Sequence, residues 1–222
     1  FPRIAEIELK AGPGSAHLLA TVQDGDGGRF AHFLRAPDGA WRQVAGFDDG
    51  IQQIEFGAGG ELYLVSRRDA PRGELRRLPS SRPELSAAEL VLPQAEDALV
   101  STFWGAPSVL VTGERILATY QLGGPSEIRS FDRAGARMPG PGQGAVSSVG
   151  GLAEIEPGIV LFARGSYLEP PGWYLFDTAT GTTRPAALVT EGPVRFDDCE
   201  VAREFAVSRD GTRVPVNILR RR

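Results

Sequence analysis

Short runs of apolar or alternating residues recur along the chain, and each run stops at a cluster of glycine, proline or aspartate. Residues 17–22 (HLLATV) stop at 24–28 (DGDGG), and the alternating residues 29–35 stop at 37–39 (PDG). Such alternation is typical of half-buried β-strands. Asp-Gly and Gly-Gly pairs suit hairpin turns because glycine tolerates the positive φ that these turns require. The pattern therefore predicts antiparallel strands joined by tight turns.

The same order of strands and turns returns in units of about 45–50 residues. The predicted units are approximately 1–50, 51–100, 101–148 and 149–203. Three to four short antiparallel strands in each unit match the blades of a β-propeller, which pack face to face around a central channel. A two-sheet sandwich uses similar strands and turns, but the repeated Asp-x-x-Gly ending, as at Asp132 and Gly135, favours the propeller. We expect an all-β fold of about four blades.

Two segments depart from this pattern. Residues 84–90 are compatible with one helical turn, and residues 97–104 are compatible with either a strand or a loop. Neither segment is long enough to change the predicted fold class.

Composition and charge limit the possible partners. Hydrophobic residues make up 41% of the 222 residues and charged residues 23%, as in ordinary globular domains. A net charge of -4 argues against binding to nucleic acid or to anionic membranes. The three arginines at 220–222 form the one basic run, and we interpret them as a solvated segment.

Several features of the sequence bear on the compartment and the source of the protein. Cys199 is the only cysteine, so it forms no internal disulfide. No apolar stretch is long enough for a membrane helix, and we expect a soluble protein, cytoplasmic or periplasmic. Lys10 is the only lysine among 24 basic residues, a bias typical of a GC-rich genome, so we expect a bacterial source. The chain begins with Phe1 rather than methionine, and we expect further sequence upstream.

The sequence offers no catalytic residues of the serine hydrolase type. The Gly-x-Ser-x-Gly nucleophile elbow is absent, and the pairs Gly14-Ser15 and Gly165-Ser166 fit turns better. His17 and His32 are the only histidines, and both fall in strand-like runs. We therefore expect no Ser-His-Asp triad within this chain.

No metal or cofactor site is predicted either. The pair Asp24 and Asp26 resembles the start of a calcium loop, but the closing glutamate is missing, and a β-turn is the stronger interpretation. The segment 140–145 (GPGQGA) is close to a dinucleotide fingerprint but precedes no helix. The carboxylates within 197–200 (DDCE) fit a solvated bend better than an acid-base pair.

A family resemblance is carried by residues 204–217 (EFAVSRDGTRVPVN). This stretch resembles the segment of the prolyl oligopeptidase family, Ser-Lys/Arg-Asp-Gly-Thr-x-Ile/Val-Pro, that leads from the last propeller blade into the α/β-hydrolase domain. Upstream, residues 166–181 resemble the final blade of that family, and residues 70–75, 91–93 and 146–151 resemble earlier blade segments. The resemblance covers nearly the whole chain.

The resemblance implies a position within a larger enzyme. It places residues 1–203 in about four blades of a seven-bladed propeller, and residues 204–222 in the junction to a catalytic domain outside this chain. In this family the propeller caps the active site and restricts access to short peptides, which are cut after proline. The resemblance also places Asp24 and Asp26 in a turn that approaches the substrate, with Asp26 where relatives can carry a cysteine.

Two hypotheses about function follow. The first is a non-catalytic propeller portion that gates access of short proline-containing peptides to its own catalytic domain. The alternative is a stand-alone propeller that binds a protein or ligand, since function does not follow from fold. A lactonase-type enzyme ranks last because two histidines supply too few metal ligands. Four blades taken from a larger ring expose blade edges, so we also expect self-association.

Overall fold

The computed structural model describes residues 2–12, 14, 16–144, 146–188 and 194–222. Ser15 and Ala145, which belong to two of the predicted turns, lie outside the described residues. Within these ranges the chain is almost entirely β-structure, with one short 3-10 turn at Leu85–Ala87 inside the segment predicted to allow a helical turn. The prediction of an all-β chain is confirmed.

The first two sheets each contain four antiparallel strands in sequence order. The first sheet contains β1 (Ala5–Ala11), β2 (Leu18–Asp24), β3 (Phe30–Arg35) and β4 (Trp41–Ala45). The second contains β5 (Ile51–Phe56), β6 (Leu62–Ser66), β7 (Glu74–Leu78) and β8 (Glu89–Leu92). Each sheet is thus a meander that advances by one strand at every turn.

The third sheet has a divided first strand, and the fourth repeats the simple meander. The third contains β9 (Ala98–Leu99), β10 (Val109–Val111), β11 (Arg115–Gln121), β12 (Ser126–Asp132) and β13 (Arg137–Met138). Both β9 and β10 pair with β11, so together they take the place of one strand. The fourth contains β14 (Ser147–Glu156), β15 (Ile159–Ser166), β16 (Gly172–Asp177) and β17 (Thr183–Pro185).

The sheets pack face to face in series, because each middle strand sends alternate side chains to opposite neighbours. On β6, Leu62 and Leu64 join the core between the first and second sheets, whereas Tyr63 and Val65 join the core between the second and third. On β11, Ile116 faces the second sheet and Leu117 faces the fourth. Three cores shared by four sheets in succession are the arrangement of propeller blades, not of a two-sheet sandwich.

The first strands of the sheets converge. Lys10 of β1 contacts Glu55 of β5, Gln53 of β5 contacts Ser108 just before β10, and β10 also contacts β14. The first strands are therefore the innermost strands of the blades, on the side of the propeller axis.

The chain ends in a two-stranded hairpin formed by β18 (Cys199–Val207) and β19 (Arg213–Arg221). Its turn contains Asp210 and Gly211, whose φ of +83° lies in the left-handed region that favours glycine. The segment that resembles the family junction is therefore a β-hairpin. The predicted boundary between residues 203 and 204 falls inside β18, and the division of the chain into domains stays a prediction.

Candidate functional site

One end of the sheets collects the connections that follow each second strand. These are residues 25–29, 67–73, 122–125 and 167–171. Because neighbouring blades pack side by side in the same orientation, these connections share one end of the propeller, which we call the loop end. The terminal hairpin lies at the same end: Arg203 donates to the carbonyl oxygens of Leu122 and Gly123 at 2.8 and 3.0 Å, and Asn217 donates to the hydroxyl of Tyr167 at 3.2 Å.

The turn that carries Asp24 and Asp26 is at the loop end. Asp24 closes β2 and forms an ion pair with Arg29, which also lies 3.2 Å from a carboxylate oxygen of Asp48. Asp26 is exposed at the tip of the turn. The structure thus gives the two residues different surroundings, and a role for either in contacting a substrate stays a prediction.

A loop between β9 and β10 lies next to this turn, and sequence reasoning did not identify it. We call residues 100–108 the strap, because they leave the third sheet and reach the first. The ring of Phe103 lies 5.5 Å from that of Phe30, and the ring of Trp104 lies 4.4 Å from Phe103. The indole N–H of Trp104 donates to Oε2 of Glu6 at 3.3 Å. The strap therefore passes over the second sheet, and its tip contacts β1.

Gln53 holds the base of the strap. Its side-chain oxygen accepts hydrogen bonds from the backbone N–H of Thr102 and from the hydroxyl of Ser108, both at 2.8 Å. The same hydroxyl lies 2.7 Å from the carbonyl of Val100. Gln53 is almost fully buried, so these hydrogen bonds satisfy a polar group that would otherwise be costly to bury.

Charged groups on the inner strands continue this network. The ammonium of Lys10 lies 2.6 Å from Oε1 of Glu55 and 3.4 Å from Oε2 of Glu8. The amide of Gln53 donates to the same oxygen of Glu55 at 2.8 Å. Burial raises the pKa of Glu55, and the charge and hydrogen bond of Lys10 oppose that rise. The sole lysine of the chain thus stabilises a largely buried carboxylate between two blades.

The residues considered as candidates for catalysis make hydrogen bonds or ion pairs with other residues of the fold. His32 is fully buried and contacts Thr21 and the carbonyl of Ile51. Within 197–200, each carboxylate lies near an arginine, at 2.9 Å for Asp197 and Arg195 and 2.7 Å for Glu200 and Arg220. Over the part of the chain that the structure describes, no three His, Cys, Asp or Glu residues are grouped to hold a metal ion.

A cavity of about 550 Å³ opens beside the terminal hairpin. Its wall includes Pro125, Gly150, Ser166, Tyr167 and Asn217. The lining is largely apolar with a few polar groups, which is typical of sites that hold part of a small ligand or a peptide side chain.

No described helix is long and apolar enough to cross a membrane.

Comparisons with known proteins give likenesses to solved structures. A prolyl endopeptidase, from a study of two such enzymes and their inter-domain dynamics, shares 18% identity at a TM-score of 0.80, over 99% of this chain and 32% of that one. Oligopeptidase B from Trypanosoma brucei, in a closed form with covalently bound antipain, shares 13% identity at 0.77, over 98% and 32%. Prolyl oligopeptidase B from Galerina marginata shares 17% identity at 0.76, over 98% and 31%. No protein-family model matches, and no curated protein matches.

These likenesses establish the fold. The chain spans about a third of the length of each of these structures, and nearly all of it aligns. At identities below a fifth, the agreement lies in the arrangement of strands rather than in side chains. The structural neighbours are prolyl endopeptidases and oligopeptidase B, as the sequence resemblance implied, and the chain has the fold of their β-propeller region.

Proposed function

We propose that this chain is the non-catalytic propeller portion of a prolyl oligopeptidase-like serine peptidase. The observation that carries the proposal is that 99% of the chain aligns with about a third of a prolyl endopeptidase. The terminal hairpin supports it independently, because its turn residues 208–212 (SRDGT) resemble the segment that precedes the catalytic domain in that family. The sequence also contains no Gly-x-Ser-x-Gly nucleophile elbow.

In this proposal the propeller gates the access of short proline-containing peptides to a catalytic domain beyond the hairpin. The loop end supports such a role, since it gathers the Asp24 turn, the strap and the hairpin on one side of the blades. A cap on this side selects substrates by what reaches the catalytic groups and also excludes water from them. The partners are therefore peptides and the peptidase's own catalytic domain. The arginine bias supports a bacterial enzyme, and we place it in the cytoplasm or periplasm.

The test compares this chain with the longer gene product that contains it. Intact mass first verifies that the purified chain has its 23.8 kDa. Both proteins are then assayed with a fluorogenic Gly-Pro reporter peptide. We expect hydrolysis by the longer product, its loss after treatment with a serine-directed fluorophosphonate, and no hydrolysis by the chain alone. Turnover by the chain alone, or none by the longer product, would contradict the proposal.

A further inference from the structure

The strap has a fixed base and an exposed tip. At the base, Val100 and Ser108 bond to the backbone of Thr119 at 2.9 and 2.8 Å, which keeps both ends of the strap on β11. At the tip, Trp104 is 56% exposed. A large aromatic side chain left this exposed at the end of an anchored loop is available for contact with another molecule.

The tip of the strap lies on the side of the sheets where the first strands converge. The strap leaves and rejoins the innermost strand of the third sheet, and its tip contacts Glu6 of β1, the innermost strand of the first. It therefore crosses in front of β5, on the side where the first strands converge. Phe103 fixes this crossing through Phe30, which is buried at the start of β3, directly after the Asp24 turn. The tip of the strap thus lies at the loop end, on the side of the innermost strands, where a complete ring of blades leaves its central channel.

We propose that Trp104 is a specificity-determining residue, whose indole narrows the mouth of the propeller channel and limits the cross-section of the peptides that pass. This inference rests on the function proposed above. The hydrogen bond to Glu6 holds the indole in the narrowing position, so Glu6 acts as a positioning residue. The exposed indole packs against Phe103 and donates this 3.3 Å hydrogen bond to Glu6, so removing the hydrogen bond loosens the ring without disturbing the core.

The main test uses the longer gene product and two peptides with the same proline-containing cleavage sequence. One is a short linear fluorogenic peptide, and the other carries that sequence in a disulfide-closed loop with a larger cross-section. The quantity measured is the ratio of kcat/KM for the closed peptide to kcat/KM for the linear one. Trp104→Ala should raise this ratio roughly fivefold, as expected when a steric barrier is removed from an access route.

Matched variants distinguish a specific effect of Trp104 from a general loosening of the fold. Trp41→Ala is the control, because Trp41 is also about half exposed, at 48%, but lies on β4, the last strand of the first sheet. Glu6→Ala should raise the ratio as Trp104→Ala does, whereas Glu6→Gln should keep it low, since the amide oxygen still accepts the indole N–H. In the 222-residue chain, Glu6→Ala but not Glu6→Gln should increase acrylamide quenching of tryptophan fluorescence.

The outcomes distinguish the two proposals. A wild-type product that cleaves the linear peptide, with an unchanged ratio in Trp104→Ala, overturns the role of Trp104 and leaves the peptidase proposal intact. A ratio that rises equally in Trp41→Ala also overturns it. A wild-type product that cleaves neither peptide overturns the proposed function and this inference with it.

Discussion

The imidazole Nε2 of His32 lies 3.1 Å from the carbonyl oxygen of Ile51, and this hydrogen bond joins β3 of the first sheet to β5 of the second. A carbonyl oxygen only accepts, so Nε2 carries the proton. The other ring nitrogen then accepts the hydroxyl proton of Thr21, at 3.0 Å. Burial lowers the pKa of His32 from 6.5 to about 4, so the native imidazole is neutral near pH 7.

This histidine makes stability depend on pH. Between the unfolded pKa of 6.5 and the folded pKa of about 4, the unfolded state binds more protons than the native state. The contribution to stability is complete above pH 6.5 and declines as the pH falls to 4, by roughly 3 kcal/mol in total. Urea denaturation at several pH values between 7 and 4 should show this slope. It should be reduced in His32→Gln; an equal slope in the wild type and this variant would contradict the prediction.

The ion pair between Lys10 and Glu55 should show strong coupling. Lys10→Met leaves the largely buried carboxylate of Glu55, whose side chain is 13% exposed, without its countercharge, and we expect a loss of about 2 kcal/mol in unfolding free energy. The double variant Lys10→Met/Glu55→Gln should recover much of that loss, because the uncompensated charge is gone. Chemical denaturation of the single and double variants measures the coupling. Additive losses would show that the two groups do not interact.

Two glycines with similar backbone angles should respond differently to alanine. Gly135 has φ +91°, and an added Cβ would lie 2.2 Å from the carbonyl oxygen of Val91 in the neighbouring sheet. Gly211 has φ +83° with nothing within 4 Å. Gly135→Ala should cost roughly 3 kcal/mol or more because the sheets must separate, and Gly211→Ala about 1 kcal/mol from backbone strain. Thermal and urea denaturation of both variants test the ranking, and equal losses would refute it.

The outer face of the first sheet should drive association of the isolated chain. Ile7 and Leu9 are exposed on the face of β1 that is opposite to Lys10, away from the second sheet. Exposed apolar residues on an innermost strand are a recognised route to association. Sedimentation velocity should show larger species as the concentration rises, and fewer of them in Ile7→Lys/Leu9→Lys. Val207→Lys, at the exposed end of β18, is the matched control. A monomer at all concentrations would contradict the prediction.

Strands and turns were predictable because they depend on neighbours in sequence. The Asp-Gly turn at Asp38 and Gly39 is one example: Gly39 takes φ +92°, and Ala40 donates its N–H to the carboxylate of Asp38 at 2.9 Å. Both effects act within three residues. Short apolar or alternating runs likewise identified β5, β6 and β7, and β6 is buried on both faces.

The strap was not predictable from periodicity. Residues 97–104 read equally as strand or loop because the segment begins in β9 and then leaves the sheet. Its position depends on Gln53 and Glu6, which lie far away in sequence. The one signal in the sequence was the adjacent pair Phe103 and Trp104 before Gly105. This pair indicates an exposed loop, but it does not show which strand the loop contacts.

The hairpin illustrates a different limit. The resemblance marked residues 204–217 as a junction segment, but it did not predict the hairpin in which Asp210 and Gly211 lie between β18 and β19. Its first strand begins at Cys199, before the resembling stretch, because nine cross-strand pairs extend the ladder back to Arg221. Anchoring of the hairpin by Arg203 on Leu122 and Gly123 depends on tertiary contact, which no local motif encodes.

The scarcity of lysine has a practical consequence. Apart from the amino terminus of the chain, Lys10 carries the only primary amine, and its ammonium lies on the inner strands against Glu55. An amine-reactive reagent therefore meets a single side chain, which is 22% exposed and becomes more accessible when the first blade separates from the second. The rate of acylation at that one position would respond to how often the two blades part, with no substitution introduced into the protein.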